Sequence, residues 1–168
     1  HPAPSAPDGS FTLTRLVPGE FRLAFFGLPP KMHVRSARLG TADLLDSAIH
    51  IEGVVSDSLE IVLNTNTGSL DAIVVGGNKQ PSAAATVVLV PSSHRRGRFD
   101  LYRPATTDSS GRASLTNIAP GSYKLFAWQD IEENAWQNTE AMRPFEDRGV
   151  LVTISEPGRA SQTITVIE

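Results

Sequence analysis

The sequence contains no cysteine. Disulfides, thiolate metal sites and cysteine nucleophiles are therefore excluded, and the absence fits a secreted bacterial protein without proving export. No apolar run approaches the roughly 20 residues a membrane helix needs. The longest, Ala83 to Pro91 (AAATVVLVP), has the length of a strand. Charge of one sign does not dominate either. Fifteen Lys and Arg stand against 18 Asp and Glu, and the basic residues form no long run. Nucleic-acid binding thus has no global electrostatic support. Catalytic and metal signatures are also missing. His1, His33, His50 and His94 lack ligand spacing, and there is no HExxH. Asp130, Glu132, Glu133 and Asn134 share a loop without EF-hand spacing, which predicts a solvated acidic loop. No Gly-x-Ser-x-Gly occurs, and no pair of carboxylates is singled out for glycoside hydrolysis. The expectation is a non-enzyme with no cofactor and no metal.

What is present is β-structure. The chain has 168 residues, with 40% hydrophobic and 20% charged content, which suits one ordinary domain or two small ones. Thirteen Gly and 12 Pro punctuate short apolar runs about every 8–12 residues, and no segment sustains a 3.6-residue period. The organising stretch is Asp108 to Gln129 (DSSGRASLTNIAPGSYKLFAWQ), which reads as turn, strand, tight turn, strand. It occurs once before, at Asp8 to Gly27 (DGSFTLTRLVPGEFRLAFFG). Gly9 matches Gly111, Leu13 matches Leu115, Leu16 matches Ile118, and Pro18-Gly19 matches Pro120-Gly121.

Taken in order, residues 1–7 (HPAPSAP) predict an extended linker. Phe11 to Leu16 and Glu20 to Phe26 predict a hairpin-like pair of strands. Strands are also expected at 32–38, 49–55 and 59–63, then at 70–75, 83–90 and 101–107. The run at 83–90 is the most apolar and is expected to be central. Pro91 to Phe99 (PSSHRRGRF) predicts an exposed basic loop. Residues 130–148 form a long polar excursion with room for one or two helical turns, and strands at 149–154 and 160–167 close the chain. The predicted architecture is all-β: two tandem Ig-like or transthyretin-like sandwich units, at 1–66 and 67–168.

Three pieces of the second unit carry a resemblance: GSLDAIVVGGNKQPSAAATVVLVP, YRPATTDSSGRASLTNIAPGSYKLFAW and DIEENAWQNTEAMRPFEDRGVLVTI. They resemble the carboxypeptidase regulatory-like, transthyretin-like (prealbumin-like) seven-stranded sandwich. The last piece is similar to the C-terminal domain of a group of large secreted soil-bacterial proteins that carry such modules in tandem. The first unit is similar to that group's preceding module through DGSFTLTRLVPGEFRLAFFGLPP, VRSARLGTADLLDSAIHIEG and LEIVLN. The resemblance implies a fold and an extracellular, secreted or cell-surface setting. It implies no reaction, because such modules have structural or accessory roles.

One departure carries the functional expectation. About three strands precede Gly111 in the second unit, whereas seven linker-like residues precede Asp8 in the first. The first unit is therefore expected to lack its N-terminal strands, leaving Phe11, Leu13, Phe21, Leu23 and Phe25 to be covered by something else. Those strands either lie upstream in a longer precursor or come from a neighbouring subunit. The first residue is His and not Met, so a processed chain or a fragment is expected. The expected function is a non-catalytic extracellular structural or interaction module, with self-association or another extracellular protein as partner. A subunit of a surface fibre fits this pattern. The alternative is a carbohydrate-binding accessory module that stacks a glycan on Trp128 and Trp136. Against it, Trp136, Met142 and Phe145 are expected to pin the excursion to the sandwich. Arg95 and Arg96, with Arg98 and Arg103, are expected to face an acidic segment. A Lys–Asn crosslink has only Lys31, Lys79 and Lys124 to draw on: Lys31 and Lys79 are expected in turns, Lys124 shares its strand face with Phe126 and Trp128, and no Asn ends the last strand.

Overall fold

The computed structural model describes residues 3–168. Its first part carries five short strands: β1 (Gly19–Phe21), β2 (His33–Leu39), β3 (Ala42–Asp43), β4 (Ile49–Ile51) and β5 (Leu59–Asn64). Among the described residues, β1 pairs with β4 alone, and β2 lies between β3 and β5. The hydrophobic side chains fully buried up to residue 66 are Val34, Ala37 and Leu44. Most other buried hydrophobic side chains lie in the second part.

The second part carries β6 (Gly68–Val75), β7 (Thr86–Pro91), β8 (Arg103–Thr106), β9 (Arg112–Ile118), β10 (Gly121–Trp128), β11 (Val150–Ile154) and β12 (Arg159–Thr165). One sheet runs β11-β10-β7-β8 and the other β12-β6-β9. All these pairs are antiparallel except β6–β12. Alternation along β6 turns Leu70, Ala72 and Val74 inward. They meet Val87, Leu89, Leu115, Tyr123, Leu125, Val152 and Ile164 in a closed apolar core. Burial of each such side chain contributes about 1.5–3 kcal/mol.

β7 is central, as its unbroken apolar run requires, and it is buried on both faces. Its outer residues Val88 and Val90 join Phe126, Trp128, Tyr102, Trp136, Met142 and Ile167 in a second cluster. The cover is the excursion itself, built from α1 (Thr139–Met142) and short 3-10 turns at Ala135–Gln137 and Arg143–Arg148. The Asn138 side chain caps α1 by accepting from the Glu140 and Ala141 N–H groups.

Three expectations change. Pro120-Gly121 does not close a hairpin. It carries the chain from one sheet to the other, since β9 and β10 lie in different sheets. A Pro-Gly pair suits a hairpin and a sheet-crossing corner equally, and the choice is made by the remote partners β6 and β7. The Tyr123 hydroxyl fastens this corner by donating to the Ala119 carbonyl at 2.7 Å, and burial pushes its pKa up to about 12. Second, Phe11 to Leu16 forms no strand, and Glu20 to Phe26 is a strand only in Gly19–Phe21. These segments have strand-like patterning but lack partners. Third, the arginines of the basic loop are not exposed, although Ser93, His94, Gly97 and Phe99 are. Arg98 is buried, and Arg95 and Arg96 are half-buried in ion pairs.

Candidate functional site

The two copies of the repeated motif are 102 residues apart, and their backbones agree. Positive φ values fall at Gly9 and Gly111 (84° and 71°), Arg15 and Asn117 (59° and 56°), and Gly19 and Gly121 (156° and 150°). The next pairing agrees as well. Gly19 faces Ile51 and Phe21 faces Ile49, as Gly121 faces Ile154 and Tyr123 faces Val152. One piece of structure is therefore built twice.

The surroundings of the two copies differ. Gly111 lies under β6: the Val74 N–H donates to its carbonyl at 2.7 Å, and a Cβ added there would sit 2.5 Å from the Val74 oxygen. A Cβ on Gly9 would meet no described atom within 4 Å. Among the described residues, local bonds hold that corner, with the Gly9 N–H donating to the Ala6 carbonyl and the Ser10 N–H to Asp8. Leu115 and Ile118 are 2% and 0% exposed, whereas Leu13 and Leu16 are 36% and 38% exposed. Trp128 is 2% exposed and its counterpart Phe26 is 77% exposed. Leu13, Leu16, Pro18, Ile51 and Val54 line an open groove of about 380 Å³. Phe11, Phe21, Leu23 and Phe25 are half-buried, Phe25 against the Arg98 guanidinium. The candidate site is this open sandwich edge.

No family model matches the sequence, and no curated protein matches it. Among solved structures, the chain is similar to a minor pilin of Streptococcus agalactiae. The identity is 23% over 84% of this chain and 61% of that one, with a TM-score of 0.43. It is also similar to the TIE protein of Bacillus anthracis, at 14% identity over 80% of this chain and 23% of that one, with a TM-score of 0.40. A third is the major pilin subunit of Bacillus cereus, at 14% identity over 69% and 36%, with a TM-score of 0.37. The chain thus spans between 23% and 61% of the length of these proteins.

The arginines form a junction between the two parts. Arg98 makes a two-pronged pair with Asp100 at 2.8 Å, both side chains being buried. It also donates to the Leu45 carbonyl and to Asp46, and its guanidinium lies 5.1 Å from the Phe25 ring centre. Arg95 donates to Asp46 at 3.0 Å. Burial opposes the charge on Arg98, but the Asp100 and Asp46 carboxylates outweigh it and raise its pKa. His33 is buried near this junction, and its Nδ1 has no partner among the described residues. Elsewhere, Arg96 and Lys124 converge on Glu146 at 2.8 and 3.1 Å. Burial raises the Glu146 pKa, yet those two hydrogen bonds hold it below the ordinary range. The basic-loop charges are thus largely spent within the molecule.

The tryptophans offer no platform. Trp128 stacks on Phe126 at 5.3 Å and meets Phe145 edge-on, and Trp136 is 6% exposed in the same cluster. A glycan finds neither ring at the surface. Among the described residues, no three His, Asp or Glu side chains converge on a metal position. His1 lies outside the described residues. Lys124 Nζ donates to the Glu146 carbonyl and carboxylate and to no Asn, while Lys31 and Lys79 sit in turns at positive φ. No helix among the described residues is long and apolar enough to cross a membrane. The sequence held the signal for the open edge in its internal repeat. It held none for Arg98 and Asp46 as a joint, because that contact spans 52 residues.

Proposed function

We propose that the chain is a non-catalytic structural and interaction module of two β-sandwich units, 1–66 and 67–168. The first is incomplete and is finished by strands from outside the described residues. The observation behind this is the open edge at Ser10 to Leu16, set against the same edge filled by β6 in the other unit. An unpaired segment with a strand's sequence pattern beside exposed leucines invites strand addition. The quoted motifs support a carboxypeptidase regulatory-like module in a secreted or cell-surface protein. Completion by a neighbouring subunit makes a head-to-tail contact that does not close on itself, which builds a fibre. Completion by preceding residues of the same polypeptide closes the first unit within one chain.

Size-exclusion chromatography and electron microscopy of the chain test this. The expected result is association that rises with concentration, or binding of an apolar dye to the first unit. A monomer that binds no dye and whose Ser10 to Leu16 amides resist hydrogen exchange overturns it.

A further inference from the structure

Building on the incomplete first unit, we infer that the open edge receives an extended segment with the chemistry of β6. It lies antiparallel to Ser10–Leu16 and turns a small residue onto Phe11 and a branched apolar residue onto Leu13.

The register follows from the repeat. In the complete unit, Leu70 faces Leu115, Asp71 faces Ser114, Ala72 faces Ala113 and Ile73 faces Arg112. Shifted by the interval between the copies, the same strand sets an apolar residue opposite Leu13 and a polar one opposite Thr12. Phe11 replaces Ala113, so the residue opposite it must be no larger than Ala72. The edge is shaped for this before any partner arrives. β9 pairs with β6 through a register shift beside Asn117, which has positive φ. Arg15 already has that conformation, so the bulge is preformed and binding need not pay to create it. The space above Gly9 corresponds to the place where the Val74 carbonyl crosses Gly111.

The other unit also sets β7 against β10, so Phe21 to Phe26 offers a place for a second strand of the same donor. A folded second copy does not offer such a donor, because its own β6 is held between β12 and β9.

The test uses the full chain, labelled with ¹⁵N, and a synthetic peptide of the sequence Gly68 to Val75 with flanking lysines for solubility. The expected result is saturable binding, with amide exchange slowed at least about tenfold across Ser10–Leu16 and unchanged across β9. Leu13→Arg abolishes binding and leaves the circular dichroism of the second sandwich intact. A peptide carrying Leu70→Asp and Ala72→Asp does not bind. Freely exchanging Ser10–Leu16 amides that ignore the peptide overturn the inference and leave the incomplete unit standing. Slow exchange there in an associated chain without peptide overturns it in favour of a second copy. Slow exchange there in a monomer overturns both the inference and the incomplete unit.

Discussion

Residues 3–66 and 68–168 contain the same corner, with the same dihedral signature and the same pairing to the following strand. In one setting that corner is half of a sealed core. In the other it leaves Leu13, Leu16, Val17, Phe26, Val54, Val55, Val62 and Leu63 exposed. In the second part, the exposed large hydrophobics are Phe99 and Leu151. Local sequence therefore sets backbone conformation at the corner, and distant strands decide whether the corner is buried. A pattern of alternating residues becomes a strand only when another strand lies beside it.

The sharpest way to break this comparison is at Trp128 and Phe26, which occupy equivalent positions. Trp128→Ala is expected to cost about 3–5 kcal/mol in urea unfolding followed by circular dichroism, because it opens a cavity in a closed cluster. Phe26→Ala is expected to stay within about 0.5 kcal/mol. Equal costs would mean that the two copies are equally packed. Next in size is the joint. Arg98→Ala strands the buried Asp100 carboxylate and is expected to cost roughly 3 kcal/mol, with earlier proteolysis near Leu45 and Asp46. A variant as protease-resistant as the parent would show that the two parts are held by other contacts.

Glycine substitutions refine the comparison. Gly9→Ala is expected to cost about 1 kcal/mol, from positive φ alone. Gly111→Ala is expected to cost more, because its methyl also meets the Val74 oxygen. Indistinguishable costs would remove the contrast between an open and an occupied corner. The smallest effect is titration of the joint. Burial lowers the His33 pKa, Glu156 opposes that shift, and Arg35, Arg95 and Arg98 reinforce it. The neutral ring is favoured in the fold, so the unfolded chain binds more protons below the ordinary histidine pKa of about 6.5. Stability therefore declines as pH falls below that value. The contributions of Glu146 and Asp71, whose folded pKa values are depressed, are lost only at lower pH, in the carboxylate range. Urea midpoints should drop between about pH 7.5 and 5.5 in the parent and stay level in His33→Gln.

Much of the second sandwich could be read directly from the chain. The alternation of Leu70, Ala72 and Val74, the apolar run of β7 and the anchors Trp136 and Met142 each announce their burial. The first part was readable only by comparison, since Phe11 to Leu16 carries a strand's pattern without a strand's partners. Sheet assignment was out of reach at Pro120-Gly121, because two remote strands decide it. The basic loop misled for a related reason. Arg95, Arg96 and Arg98 look solvated until Asp46, Asp100 and Glu146 fold against them.

The parallel pairing of β6 and β12 has a mechanical consequence. The two strands run side by side through seven matched pairs, from Ser69 with Arg159 to Val75 with Thr165. The chain enters β6 at Gly68 and leaves β12 at Thr165, so entry and exit lie at opposite ends of the ladder, about 20 Å apart at the usual rise per residue. Tension along the polypeptide therefore slides one strand past the other. All the rungs bear load together and must rupture at once, whereas a hairpin pulled from its open end unzips one rung at a time. A link of this kind yields abruptly and at high force.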